Sequence, residues 1–163
     1  MGLFDIFKKK SKEDISSTTD DTNNYVVDMC TAICDKCQYG EAMENLNEFE
    51  RVFYVAQLLE MEVNNGGFSQ FFYNSSGDFS GELVHVFTEI GAMKTAEICK
   101  KALEAFGREI PMNRDEREEM LDEMESEEID EILSECDDAF YEYEDDLNAL
   151  NYAYIMKYKD HFN

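Results

Sequence analysis

The residues whose chemistry is most evident from the sequence are carboxylates, and they are concentrated in one stretch of the chain. Between Asp115 and Asp146 there are eighteen Asp or Glu residues and one Arg, a net charge of −17 over 32 residues. A helix of that length spans about 48 Å, or one net charge per ~2.8 Å, compared with ~3.4 Å for a DNA strand and ~1.7 Å for a duplex. Such carboxylates could take the place of phosphates against Lys and Arg, although most acidic runs are solvated surfaces without a dedicated partner.

Apolar residues at helical spacing predict which of these acids point outward. Met120 and Met124 mark one apolar stripe, and Leu133 and Cys136 mark another. We expect the opposite surface to form an acidic face that binds a partner. The acids expected on this face are Glu116, Glu119, Asp122, Glu123, Glu127, Asp130, Glu131, Asp137, Asp138, Glu142, Asp145 and Asp146.

A second cluster of polar groups surrounds Gly66-Gly67, in the stretch from Glu62 to Asp78. Two successive glycines predict a helix stop, and Phe68, Phe71 and Phe72 then recur at i, i+3 and i+4, as on one face of a short helix. The amides and the carboxylate could form a small pocket or peptide-binding site with aromatic walls. They could instead cap the backbone groups that a helix break exposes, and we favour capping because Asn and Gln beside helix ends commonly serve it.

Cysteines and histidines offer little for metal binding or catalysis. Cys30, Cys34 and Cys37 share one helical face, but no fourth ligand is evident, so buried apolar thiols are the favoured interpretation. Glu82-x-x-His85 is half of a di-iron motif whose second half is missing, and His85, between two valines, is expected to be partly buried. The chain also lacks the common nucleophile, phosphate-loop and calcium-loop motifs. We predict no enzymatic activity, no metal site and no cofactor.

Helices must position all of these groups. Apolar periodicity predicts helices over residues 25–39, 41–63, 81–90, 94–106, 114–124, 126–136 and 140–158, with Asn113 and Ser126 as caps of the fifth and sixth. No stretch alternates with period two, so the predicted fold is all-α. We expect one compact multi-helix domain over residues 25–163, after a flexible tail over residues 1–24. This tail has an amphipathic segment, Met1 to Lys12, with four lysines, and a linker from Ser11 to Asn24.

Composition sets limits on the function. The 163 residues are 44% hydrophobic, enough for one domain with a core, and carry a net charge of −24 with a pI near 4.2. That charge far exceeds the magnitude of about 2 to 8 that solubility requires, and it repels nucleic acids and anionic membranes. We therefore expect no direct nucleic-acid binding and no stable membrane insertion. Five cysteines without a signal peptide indicate a reduced cytoplasmic protein.

The stretch around Gly66-Gly67 also resembles the signature of the DNA mimic protein 19-like family, a bacterial family otherwise described as a domain of unknown function. The matching residues are Glu62, Asn65, Gly66, Gly67, Phe68, Gln70, Phe71, Phe72 and Asn74, followed by Ser75-Ser76-Gly77. Weaker landmarks are Ile90-Gly91-Ala92, Phe106-Gly107, Pro111 and Arg117. The resemblance implies an all-helical fold and, as for the namesake of the family, occupation of the DNA-binding surface of a transcription factor. We expect the motif residues themselves to be structural.

These observations predict a non-enzymatic, acidic protein-binding module. Its acidic face would bind the basic surface of a partner protein, with a DNA-binding regulator as the first candidate, and would thereby keep DNA away. The alternative is an interaction or immunity-type module that uses a pocket near Gly66-Gly67, with acidity serving only solubility. A homodimer is compatible with the sequence.

Overall fold

The computed structural model describes residues 17–163 and confirms the all-α prediction. Its helices are α1 (Ser17–Lys36), α2 (Glu48–Tyr73), α3 (Leu83–Glu89), α4 (Met93–Glu104), α5 (Arg114–Met124), α6 (Glu127–Tyr141) and α7 (Leu147–Lys157). Short 3₁₀ helices lie at Gln38–Gly40, Met43–Asn45, Ser75–Glu82 and Lys159–His161, and residues 17–163 contain no strand. The predicted amphipathic segment and the first part of the predicted linker lie outside the described residues. Within residues 17–163, no helix has both the length and the apolar character needed to cross a membrane.

The starts of α5 and α6 agree with prediction, and each has a capping side chain. The fifth helix covers the predicted 114–124, and Asn113 accepts a hydrogen bond from the backbone N–H of Glu116 at 3.1 Å. The side chain of Ser126 likewise accepts from the N–H of Ile129 at 3.3 Å and caps α6. Both predicted caps are confirmed. Each satisfies a backbone donor that the first helical turn leaves unpaired.

Several predicted boundaries are wrong. α1 begins at Ser17, so the second part of the predicted linker is helical. α2 begins at Glu48 rather than residue 41, because a 3₁₀ turn precedes it. The predicted helix over 140–158 is interrupted: α6 ends at Tyr141, and Tyr143 has a φ of +48°, which takes the backbone out of the right-handed helical region before α7.

The described residues divide into two compact units, the first of which comprises the residues up to Tyr54 together with Leu147–Asn163. Here α1 packs against α7. Asn47 and Glu50 form a reciprocal capping box at the start of α2, with each side chain accepting from the other residue's backbone N–H at 3.0–3.1 Å. The carboxylate of Glu50 is fully buried, and Lys36 compensates its charge with an Nζ–Oε1 distance of 2.7 Å.

The second unit is Val55–Asp146, which contains both the glycine pair and the acidic stretch. α3 packs against α4, and α4 packs against α6. Phe68 and Phe72 are fully buried, and their rings meet those of Phe140 and Phe106 edge-on at centroid distances of 6.2 and 5.3 Å. Burial of each such ring contributes about 1.5–3 kcal/mol, so these contacts hold the last turns of α2 beside α6 and the end of α4.

Candidate functional site

The Gly66-Gly67 pair bends α2 but does not end it. The backbone leaves helical geometry at Gly66 (φ −159°, ψ 17°) and Gly67 (φ 81°, ψ −179°), and the helix then continues to Tyr73. The predicted helix stop is therefore a kink, because Phe68, Phe71 and Phe72 restart the buried helical face at once. Gly67 occupies a region of backbone conformation that is essentially restricted to glycine.

A carboxylate from a distant helix caps the restarted segment of α2. Oδ1 of Asp137, on α6, accepts a hydrogen bond from the backbone N–H of Phe68 at 2.7 Å. A Cβ atom on Gly67 would collide with this carboxylate, so the residue at 67 must be small as well as permissive. Burial raises the pKa of Asp137 above its usual value, although the Phe68 N–H opposes that change by favouring the ionised form.

The polar side chains of the motif bond to one another across the kink. Oε2 of Glu62, before the kink, accepts from Nε2 of Gln70 at 2.6 Å and from Nδ2 of Asn74 at 3.1 Å. Nδ2 of Asn65 donates to Oε1 of Gln70 at 3.1 Å. The structure differs from the predicted capping. These amides pair with side chains, and the backbone N–H of Phe68, which the kink exposes, donates to Asp137 instead. The Gln70 side chain also fills the space where a Cβ of Gly66 would lie.

Two tyrosines, one at the end of α6 and one just after it, attach this helix to α2 before the kink. The hydroxyl of Tyr141 donates to the carbonyl of Val63 at 2.7 Å. The hydroxyl of Tyr143 donates to Oε1 of Glu60 at 3.0 Å and accepts from Nδ2 of Asn64 at 2.6 Å. Burial, reinforced by the charge of Glu60, raises the pKa of Tyr143, so this hydroxyl stays protonated and able to donate. The kink is therefore held by α6 on both sides.

Arg117 is the only cation in the acidic stretch, and it points into the core. Its side chain is fully buried, and all five of its N–H donors have acceptors. These acceptors are the carbonyl oxygens of Phe72, Asn74, Pro111 and Met112 and a carboxylate oxygen of Asp78, at 2.7–3.0 Å. Arg117 therefore fixes α5 to the end of α2, and it contributes no positive charge to the surface of α5.

Ten of the twelve predicted partner-binding acids are exposed, and we call this set the acidic surface. Its members are Glu116, Glu119, Asp122, Glu123, Glu127, Asp130, Glu131, Asp138, Glu142 and Asp146. They lie on α5, on α6 and in the segment after α6. Within each helix the spacing aligns them: Glu116, Glu119 and Glu123 share one face of α5, and Glu127 and Glu131 share one face of α6.

The outward orientation predicted for the other two acids, Asp137 and Asp145, is wrong. Asp137 is half-buried because it caps the restarted part of α2. Asp145 is half-buried because its Oδ2 accepts from the backbone N–H and the hydroxyl of Thr95, at 2.7 and 2.9 Å, in the first turn of α4. Both carboxylates thus serve helix N-termini within the protein.

Local structure accounts for some acids of the stretch and leaves others unexplained. Glu116, Glu127 and Asp130 lie in first helical turns, where negative charge is favourable. Glu118 and Glu135 form ion pairs with Arg114 and Lys101. Several further acids are exposed without either benefit, and four of them lie at helix C-terminal ends, where negative charge costs roughly 0.3–1 kcal/mol. We call these four the unexplained acids: Asp122, Glu123, Asp138 and Glu142.

The predicted cysteine and histidine candidates do not assemble into a site. All five cysteines are buried, as predicted for Cys30, Cys34 and Cys37, and the Sγ atoms of Cys30 and Cys34 are 4.0 Å apart. Cys37 donates from Sγ to the carbonyl of Cys34 at 3.6 Å. His85 is exposed, so the partial burial predicted for it is wrong. Across residues 17–163, His, Cys, Asp and Glu form no group of three or more suited to hold a metal ion.

The described residues thus form a helical, strongly acidic protein in which a glycine pair kinks α2. Comparison with protein families assigns the chain to a family. The family model described as DMP19-like protein matches residues 44–158, which is more than half of the chain. The chain therefore belongs to the DMP19-like protein family. The match covers both the kink and the acidic surface. No curated protein and no solved structure gave a match.

Proposed function

We propose that this protein is a non-enzymatic DNA mimic of the bacterial cytoplasm, whose acidic surface occupies the basic face of a DNA-binding regulator. The observation that carries the proposal is the set of unexplained acids. Asp122, Glu123, Asp138 and Glu142 lie where a helix dipole disfavours them, so they are a cost to the folded state. A partner that supplies positive charge would offset that cost.

The electrostatics favour a cationic protein over any other large partner. Carboxylates on α5 and α6 would occupy the positions of phosphates opposite Lys and Arg side chains, and the single cation of the stretch, Arg117, is buried away from them. A protein with a net charge of −24 is repelled by nucleic acid itself. Binding would keep DNA off the regulator and so change transcription.

The alternative, a recognition pocket beside Gly66-Gly67, has less support. The space beside the two glycines is filled by the side chains of Gln70 and Asp137, both of which are hydrogen-bonded within the protein. A ligand there would have to displace these bonds.

Affinity capture from a lysate of the source bacterium tests the proposal. We expect the tagged protein to retain a DNA-binding protein that elutes at moderate NaCl, because screened charge–charge contacts weaken steeply with salt. One variant neutralises four exposed acids of α5 and α6: Glu119→Gln, Glu123→Gln, Glu131→Gln and Asp138→Asn. The control removes the same charge from exposed acids elsewhere: Asp28→Asn, Glu41→Gln, Glu89→Gln and Asp160→Asn. The first variant should lose the regulator and the control should keep it; equal losses, or no nucleic-acid-binding protein in the eluate, would contradict the proposal.

A further inference from the structure

An apolar groove opens beside Asp122 and Asp130 of the acidic surface. It has a volume of about 230 Å³ and lies within the second unit, among the end of α2, α5 and the start of α6. Its floor is formed by Phe72, Phe106 and Leu133, which are all at most 4% exposed. Leu121 and Ile129, both half-buried, form its walls.

The rim of the groove is acidic. Asp122 from α5, Glu125 from the α5–α6 junction and Asp130 from α6 line the groove, and all three are exposed. Tyr73, which is 45% exposed, also lines it. Three acidic residues from separate elements thus line one apolar opening.

The size of the groove suits one side chain. Sites for drug-sized ligands occupy roughly 300–1,000 Å³, more than this groove provides. A basic protein surface bound to DNA meets no comparable apolar group apart from the thymine methyl group. The groove is therefore a feature that phosphate mimicry alone does not explain.

We propose that the groove receives one large aliphatic side chain that projects from the basic surface of the partner, with flanking Lys or Arg side chains on the acidic rim. The occupant is identified by charge complementarity, since an apolar group approaching this opening must pass Asp122, Glu125 and Asp130, and cationic neighbours pair with those carboxylates. This proposal rests on the proposed function and sharpens it. The partner is recognised by an apolar anchor within a basic patch as well as by its charge.

Two synthetic nonapeptides test the proposal, each with eight lysines and one central residue, leucine in one and serine in the other. Binding to the full-length protein is measured by fluorescence polarisation of a dye at the peptide terminus. Because both peptides carry the same charge, the leucine peptide should bind about tenfold more tightly only if the leucine is buried. Equal affinity of the two peptides would overturn the groove proposal while leaving charge-based binding intact. If neither peptide binds at low salt, the acidic surface itself fails as a cation-binding site.

Matched variants locate the preference for leucine. Ser69 is an exposed residue that lines the groove, so Ser69→Phe fills it without removing a core contact. Ser134→Phe places the same side chain at an exposed position of α6 outside the groove. Ser69→Phe and Ile129→Ser should abolish the tenfold preference, and Ser134→Phe should keep it. Glu125→Gln should weaken both peptides equally; a preference that survives Ser69→Phe would contradict the assignment.

Discussion

The glycine kink and the acidic surface use the same functional group, a carboxylate, in opposite ways. At the kink, Asp137 and Glu62 accept hydrogen bonds from donors within the protein. On the acidic surface, Asp138 lies next to Asp137 in sequence but is exposed, at the end of α6 that disfavours it. The kink residues thus stabilise the fold. The unexplained acids lower its stability, and only a binding partner would make them favourable.

The largest effect expected from this comparison is at Arg117, which serves the kink region although it lies in the acidic stretch. Arg117→Ala leaves four carbonyls and a carboxylate without their donor, so we expect a loss of about 3–5 kcal/mol in the free energy of unfolding. Urea denaturation followed by circular dichroism measures it. Arg114→Ala is the control, because Arg114 forms an exposed pair with Glu118 that contributes about 0–1 kcal/mol. Similar losses in both variants would show that Arg117 is not a clamp.

The next effect should come from the glycine kink itself. Gly67→Ala introduces a Cβ atom at a φ of 81° and against the carboxylate of Asp137, so we expect a loss of roughly 1–3 kcal/mol. Gly81→Ala is the matched control, because an added Cβ meets no neighbouring atom there. Thermal unfolding curves should separate the two variants clearly. If Gly67→Ala melts like Gly81→Ala, the kink does not require glycine.

A smaller difference should separate the adjacent acids Asp137 and Asp138. Asp137→Ala removes the cap of Phe68 N–H and should cost about 1 kcal/mol, whereas Asp138→Ala should leave the stability unchanged or raise it slightly. Burial raises the pKa of Asp137 in the folded state. Ionisation of this carboxyl group therefore lowers the stability of the protein as the pH rises from the unfolded-state pKa to the folded-state pKa. Asp137→Asn keeps an acceptor without the charge and should therefore lose less stability than Asp137→Ala at neutral pH. Urea denaturation of the three variants at pH 7 ranks their free energies of unfolding. If Asp138→Ala were the least stable, the contrast between the two acids would be contradicted.

The smallest effect should have the opposite sign. Neutralising Asp138 and Glu142 with Asn and Gln removes unfavourable charge at the end of α6, so stability should rise by about 0.3–1 kcal/mol at low salt. The gain should shrink as salt screens these exposed charges. Denaturation at 20 mM and 500 mM NaCl measures it. A loss of stability at low salt would mean that these acids serve the fold after all.

Sequence patterns predicted much of the fold because most helices have apolar residues at helical spacing, and α5 and α6 each have a recognisable cap. The limits of α5 followed from Asn113 and the stripe of Met120 and Met124. Gly66-Gly67 was recognisable as a break, but whether a helix resumes after a break depends on long-range partners such as Asp137, which lies on another helix.

The acidic surface was predictable from the same stripes, and the exceptions have physical reasons. Asp137 lies four residues after Leu133 and three before Phe140, on the inner stripe of α6, which could have identified it as inward. Arg117 similarly lies three residues before Met120 on the inner stripe of α5. The bonding of Asp145 to Thr95 has no such local signal, because it joins residues fifty positions apart.

Displacement of DNA from the captured regulator tests the central claim most directly. A dye-labelled duplex is bound to the regulator, and its release is followed by fluorescence polarisation as this protein is added at several salt concentrations. The account predicts that the wild-type protein releases the duplex with an affinity that falls steeply as salt rises. The variant neutralised at Glu119, Glu123, Glu131 and Asp138 should be at least about tenfold weaker, and the variant neutralised at Asp28, Glu41, Glu89 and Asp160 should match the wild type. A duplex that stays bound while this protein saturates the regulator would contradict the account.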